Sequence, residues 1–367
     1  MIKRVVLVSP YALSVAGGVQ EQVLSMSREL SKRQIEVVVL APDANDSTRY
    51  ETPARIFHLG PLLSLPANGS KAPLTLSWSA AKKAREIVRE FSPDVIHYHE
   101  PFAPIIGWAS LSSHEFASVG TIHRSGGGPA IRLTRPLLKR LGHRLDRVVA
   151  VSEMAALTYA ASLDRKPIVL FNGFEIERFR EMPRVEPDEP TFVVVGRLEE
   201  RKGVATAVTA ILNHNASSPN KWRLRVVGDG PERSRLEQLA NGDPLITFLG
   251  RVSDEVKRAE IRSASALVAP ALHGESFGLI LIEGLASEIP VIASNIDGYR
   301  QAGGGQVALF TPGNPTDLLA AMRQTLEGDG SERRARVSDY VQRWSMESLM
   351  DAYLDIYEQA TKDFQAI

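Results

Sequence analysis

Short runs of β-branched and aliphatic residues recur along the whole chain, each closing in a polar or glycine-containing turn and most leading into a helical stretch. In the first half they are "RVVLVSP", "IEVVVLAP", "RIFHLG", "DVIHYHE", "ASVGTIH" and "RVVAVS", with "PIVLFNG" at the border. The second half restarts the rhythm with "TFVVVGR", "LRVVGDG", "ITFLG", "ALVAPA", "PVIASN" and "QVALFT". Strands alternating with helices predict parallel sheets covered on both faces, an α/β fold. At 367 residues the chain exceeds one ordinary core. Two separate series therefore predict two facing Rossmann-like domains with a cleft between them: residues 1–170, residues 171–345, and a closing helix over 346–367. "REMPRVEPDEP", residues 180–190, is rich in proline and charge and reads as a linker or extended connection. The last segment carries Met346, Leu349, Met350, Tyr353, Leu354 and Tyr357 at helical spacing, a face that can pack on either domain.

Charge narrows the partners. Lys+Arg and Asp+Glu both total 43, so net charge is zero and a generally basic nucleic-acid binder is not expected. There is no cysteine, which excludes disulfides and thiolate-bound zinc and fits a reducing cytoplasm. The amino-terminal "MIKRVVLVSPYALS" has too short an apolar run for a signal peptide and reads as the first buried strand. No apolar run is long enough to span a membrane.

In doubly wound sheets ligands bind beyond the carboxyl ends of the strands. After the first strand, Gly17 and Gly18 precede an amphipathic helix and let backbone N–H groups approach a ligand. The spacing is not G-x-G-x-x-G, which removes the main support for a dinucleotide-dependent oxidoreductase. "VIHYHEP" places His97 and His99 on one strand face next to Glu100; they suit a metal, but no further ligand set accompanies them, and none is expected. His123 stands at a strand end before a glycine loop, where contact with a substrate outweighs the reading of a satisfied polar group. "VGRLEERKG" presents Arg197 and Lys202 as a clamp for a diphosphate, whereas Glu199, Glu200 and Arg201 read as a solvated charge run.

"HGESFGLILIEGLA" sets Glu275 and Glu283 eight residues apart. A helix beginning near Ser276 directs the N–H groups of Ser276, Phe277 and Gly278 at a ligand. Eight helical residues rise about 12 Å, roughly the reach of a sugar nucleotide from its sugar to its ribose. Glu275 would accept from sugar hydroxyls and Glu283 from the ribose.

With Arg197 and Lys202, this E-x7-E stretch resembles the retaining glycosyltransferases of the GT-B class, family 4. The resemblance covers nearly the whole chain. Through "PYALSVAGGVQEQVL", "NGS", "HEPFAP", "TIH", "GRLEERKG" and "GESFG" the sequence is similar to actinobacterial phosphatidylinositol mannosyltransferases, which make the first mannose transfer from GDP-mannose to phosphatidylinositol. The resemblance implies anomeric retention, GDP-mannose as donor substrate, no metal and no tightly bound cofactor. It implies a cytoplasmic protein, peripheral on the inner membrane face. Arg197 and Lys202 would hold the diphosphate with Gly18 against it, Asp254 and Lys257 would frame the nucleotide, and His123 would line the reaction centre. Gln20, Asn68, Ser70, Lys71 and Arg124 would face the acceptor. Two departures fall on that side: Pro73 stands where the family carries an arginine after "NGS", and glycine replaces a lysine a few residues beyond His123.

A lipid acceptor requires membrane access. Residues 130–147 interleave Leu133, Leu137, Leu138, Leu141 and Leu145 with Arg132, Arg135, Lys139, Arg140 and Arg144, a basic amphipathic segment suited to an anionic surface. Pro136 would start or interrupt its helix. The rival expectations are a family-4 enzyme with a soluble acceptor or with UDP-glucose, and an inactive sugar-nucleotide-binding protein.

Overall fold

A computed structural model describes residues 1–14, 17–42, 50–60, 63–67, 70–74, 78–103, 114–123, 129–275, 278–328 and 330–366. The chain divides into two compact units: Met1–Phe174 with Met346–Ile367, and Glu175–Ser345. The crossing falls at Phe174/Glu175, so the proline-rich stretch 180–190 lies inside the second unit and is not the linker its composition suggests.

In the first unit β1 (Arg4–Val8), β2 (Glu36–Ala41), β3 (Arg55–His58), β6 (Val95–His99), β7 (Ala117–Ile122), β8 (Arg147–Ala150) and β9 (Ile168–Val169) form a parallel sheet in the order β3-β2-β1-β6-β7-β8-β9. All seven apolar runs expected here are strands of this one sheet. β4 (Leu63–Ala67) and β5 (Ser70–Leu74) form a separate antiparallel hairpin that the sequence pattern did not announce.

Alternation along the strands supplies both faces. Val5 and Leu7 point into a core closed by α1 (Gly18–Lys32) and by the C-terminal helix Met346–Gln365. Val6 and Val8 point into the other, closed by α2 (Trp78–Phe91), α3 (Pro129–Gly142) and α4 (Glu153–Leu163). On the C-terminal helix Met346, Leu349, Met350, Tyr353 and Tyr357 are all buried in the first of these cores, and Leu354 packs at its edge. Each such side chain contributes about 1.5–3 kcal/mol of burial. Met346 N–H donates to Phe174 O at 2.9 Å, where the chain returns to the first unit. Ser152 starts α4 by accepting from Ala155 N–H. Pro136 lies inside α3 and does not start it.

The second unit holds β10 (Thr191–Val195), β11 (Arg223–Val227), β12 (Ile246–Gly250), β13 (Ala266–Ala269), β14 (Val291–Ser294) and β15 (Ala308–Phe310) in the parallel order β12-β11-β10-β13-β14-β15. These are the six remaining runs. Its helices are α5 (Glu177–Arg180), α6 (Val204–Ser217), α7 (Arg233–Ala240), α8 (Asp254–Arg262), α9 (Leu279–Ala286), α10 (Asp297–Gly303), α11 (Pro315–Glu327) and α12 (Gly330–Gln342). Among the described residues no helix is long and apolar enough to cross a membrane.

Candidate functional site

The chemistry-bearing residues collect at the carboxyl ends of strands in each unit. In the second, β10 leaves through Gly196, whose φ of +152° suits glycine, and Arg197 follows half-exposed with Nη1 3.1 Å from Glu199 Oε1. A 3₁₀ turn over Glu200–Lys202 ends at Gly203, φ +62°, where a Cβ would stand 2.0 Å from Pro270 O. Glycine is therefore required, and it brings the turn against the segment after β13.

That approach builds a compact ion cluster. Lys202 Nζ lies 2.5 Å and Arg201 Nη1 2.9 Å from the same Glu275 Oε1, and Arg201 Nε donates to Glu199 Oε2 at 2.9 Å. No described residue bonds Glu275 Oε2. Arg201 is thus a member of the site, not a solvated charge: in a 3₁₀ turn adjacent residues are about 120° apart, and the fold of the turn decides which one faces inward. Tyr299 was also not foreseen. Its hydroxyl is held above the ordinary tyrosine range by burial and by Glu275, and its ring fills the space that a side chain at Gly278 would need.

The helix after this segment differs from expectation. It starts at Leu279, not near Ser276, because Gly278 takes φ +89° as its N-cap, a conformation that cannot continue a helix. Ser276 and Phe277 lie outside the described residues. Glu275 is therefore ahead of the helix rather than at its mouth, and Glu283 is about one turn inside it. Leu281 N–H closes back on Gly278 O, and no side chain caps the helix.

Glu283 anchors a second cluster. Lys257 Nζ lies 3.1 Å from Glu283 Oε1 and 2.9 Å from Asp254 Oδ1, with Arg258 on Asp254 and the ammonium 5.8 Å from the Phe179 ring centre. Burial pulls the Lys257 pKa down, but Glu283 and Asp254 outweigh it and hold it above the ordinary lysine value. Burial raises Asp254, yet Lys257, Arg258 and Arg178 bring it below the usual carboxylate range.

In the first unit Gly17 caps α1; a Cβ there would meet Gln20 Oε1 at 2.5 Å, whereas one on Gly18 meets nothing within 4 Å. Gln20 is buried, its Nε2 3.4 Å from Ala12 O. His97, His99 and His123 form one stack, His97 on His99 at 4.4 Å and His99 on His123 at 5.2 Å. His97 spends both ring nitrogens, on Tyr357 Oη and Thr121 Oγ1, each at 2.7 Å. Face-to-face rings do not aim lone pairs at a shared point, so His97 and His99 are no metal pair; no metal-holding group occurs among the described residues. Glu100, at φ +48°, accepts from His123 N–H at 2.7 Å.

Of the acceptor-side residues, Asn68 and Arg124 lie outside the described residues, and Ser70 and Lys71 are placed as backbone in β5 only. On α3, Arg135, Leu137, Lys139 and Arg140 are exposed while Leu138 and Leu141 are buried; Lys139 pairs with Asp164 and Arg144 is half-buried. Arg132 is placed as backbone only.

Two α/β units with parallel sheets, one ending in ion clusters and the other in a histidine stack, have the architecture of the GT-B class. The chain matches a sucrose-phosphate synthase from Thermosynechococcus elongatus with a TM-score of 0.74 at 21% identity, over 97% of this chain and 98% of that one. It matches a glycosyltransferase from Rickettsia africae at 0.76 and 17%, over 98% and 99%. Residues 16–178 match Glycosyltransferase Family 4, and residues 175–344 match Glycosyl transferases group 1. The sequence is 31% identical to a phosphatidyl-myo-inositol mannosyltransferase of Mycolicibacterium smegmatis, over 97% of this chain and 93% of the relative. It is 30% identical to the protein of that name from Propionibacterium freudenreichii, over 88% and 86%. The chain belongs to the family-4 glycosyltransferases.

Proposed function

We propose that this protein transfers mannose from GDP-mannose to phosphatidylinositol with retention at the anomeric carbon. The observation that carries the reading is the convergence of Lys202 and Arg201 on one oxygen of Glu275 with Arg197 beside them. Three cations suit a diphosphate, and a carboxylate with one oxygen uncommitted suits sugar hydroxyls. Lys257 and Glu283 offer a second donor and acceptor for the nucleoside, framed by Asp254. Gly18 leaves open space fit for a phosphate near a helix start. In this reading Ser276, Phe277 and Gly278 would offer their backbone N–H groups to the donor.

In this reading the bond from the anomeric carbon to the diphosphate breaks and the bond to the acceptor oxygen forms on the same face. The hydroxyl proton passes to the departing phosphate, whose growing charge Arg197, Arg201 and Lys202 stabilise. No nucleophilic carboxylate is needed. His123 lines the reacting sugar, and Gln20, Asn68, Ser70, Lys71 and Arg124 serve the acceptor. The names of the similar proteins support a phosphoinositide acceptor. A peripheral position on an anionic inner membrane face is supported by exposed Arg135, Lys139 and Arg140 beside exposed Leu137 on α3, and by Met154 and Leu157 on α4, 58% and 62% exposed.

The test is transfer of radiolabelled mannose from GDP-mannose to phosphatidylinositol in anionic vesicles, with Glu275→Ala as control. Lipid-extractable label that drops at least about a hundredfold in the variant is expected. GDP release without labelled lipid would overturn the acceptor and direct the search to soluble sugars.

A further inference from the structure

We infer that His99 is a positioning residue which fixes His123 as a neutral ring with its proton on Nδ1, so that the site receives an N–H donor and not a base. The inference rests on the transferase reading only for its consequence; the geometry stands alone.

His123 Nε2 and His99 Nδ1 are 3.0 Å apart, so one of the two carries the shared proton. The other nitrogen of His99, Nε2, is buried with no partner among the described residues. An orphaned buried N–H is rarer than an uncommitted acceptor. The proton therefore sits on His99 Nδ1 and is donated to His123 Nε2. A neutral His123 then holds its own proton on Nδ1. Its ring is partly exposed, and Nδ1 bonds to no described residue.

The stack keeps His99 from turning over. Its ring lies between His97, at 19°, and His123, at 24°. His97 is pinned by Tyr357 and Thr121, and Thr121 in turn meets Tyr353 Oη at 2.8 Å. Among the described residues His123 meets His99 and Glu100, while Thr121 on β7 and Tyr353 and Tyr357 from the C-terminal helix surround His97 at the other end of the stack. Of these described groups only Glu100 favours a cation. Burial dominates: it brings the pKa of His97, helped by His123, to about 3, and that of His123 to about 3. His99 is lowered by burial and by both neighbours. A fixed neutral donor can hold a sugar oxygen, but it cannot collect the acceptor's proton, which leaves the phosphate as its destination.

The experiment is long-range ¹H–¹⁵N correlation of the full chain with ring-¹⁵N histidine, between pH 5.5 and 8, with His123 assigned by its loss in His123→Asn. Expected is an Nδ1–H tautomer at His123 that does not titrate over this range. In His99→Leu, which removes the donor to Nε2, it should become a mixture of the two neutral tautomers. His99→Asn, which retains a donor near Nδ1, should restore the single Nδ1–H tautomer. An Nε2–H tautomer or a titrating His123 in the parent protein would overturn the proposal, as would an unchanged His123 signal in a folded His99→Leu. Should His99→Leu not fold, the parent spectrum decides alone. The spectrum is recorded without substrate, so a failure of lipid mannosylation does not alter what it says about the tautomer.

Discussion

Glu275 takes two cations on one oxygen, so removing either leaves the carboxylate oriented by the other alone. Arg201→Met is expected to lower kcat/KM by tenfold to a hundredfold, about 1.5–3 kcal/mol for a hydrogen bond to a charged group. Arg235→Met, which removes an exposed partner of Glu232 on α7, should leave kcat/KM unchanged. Equal effects of the two would sink the assignment. Arg201 marks where residue-level reading of the sequence ends: the charges of "RLEERKG" are visible, but which of them turns inward depends on Gly203 pressing against Pro270 O. The same holds for Gly278, whose left-handed backbone moves the helix start past Ser276.

At the scale of elements, thirteen apolar runs were legible because parallel strands buried on both faces must be continuously aliphatic. The hairpin β4–β5 was not, since Pro66 and Pro73 within it argue against strands in any interior position. Packing of the C-terminal helix against β6 and β7 also carries a cost in acid. The histidine pKa values are depressed in the fold, so the unfolded chain binds their protons first. The stability they contribute is therefore complete above the unfolded value of about 6.5 and lost as pH falls toward 3. His97, fully buried, should cost on the order of 1 kcal/mol per pH unit below about 6.5, and the partly exposed His123 less. Calorimetry from pH 7.5 to 4.5 should show the first unit's transition falling steeply below 6.5; a flat profile would contradict the buried neutral stack.

Over the whole molecule the charges cancel, and what matters is where they lie. α3 turns Arg135, Lys139 and Arg140 outward, and α4 turns out Met154 and Leu157. Sedimentation with anionic vesicles is expected to lose about tenfold in binding for Met154→Gln with Leu157→Gln, through lost apolar insertion. Arg135→Glu with Arg140→Glu should abolish its salt sensitivity. Binding unchanged in both variants would remove the membrane from this face. The zero total, read from composition alone, conceals this arrangement.

The return of Met346–Gln365 to the first unit sets an order on synthesis. Tyr353 and Tyr357 close the core begun by β1, yet they are translated after the entire second unit. At 5–20 residues per second, about ten seconds or more pass on the ribosome between the last strand of the first sheet and the helix that covers it. The unit made first is thus finished last, and meanwhile an apolar sheet face with its histidines stands open to chaperones. A chain cut short near its end would lose the folding of its beginning.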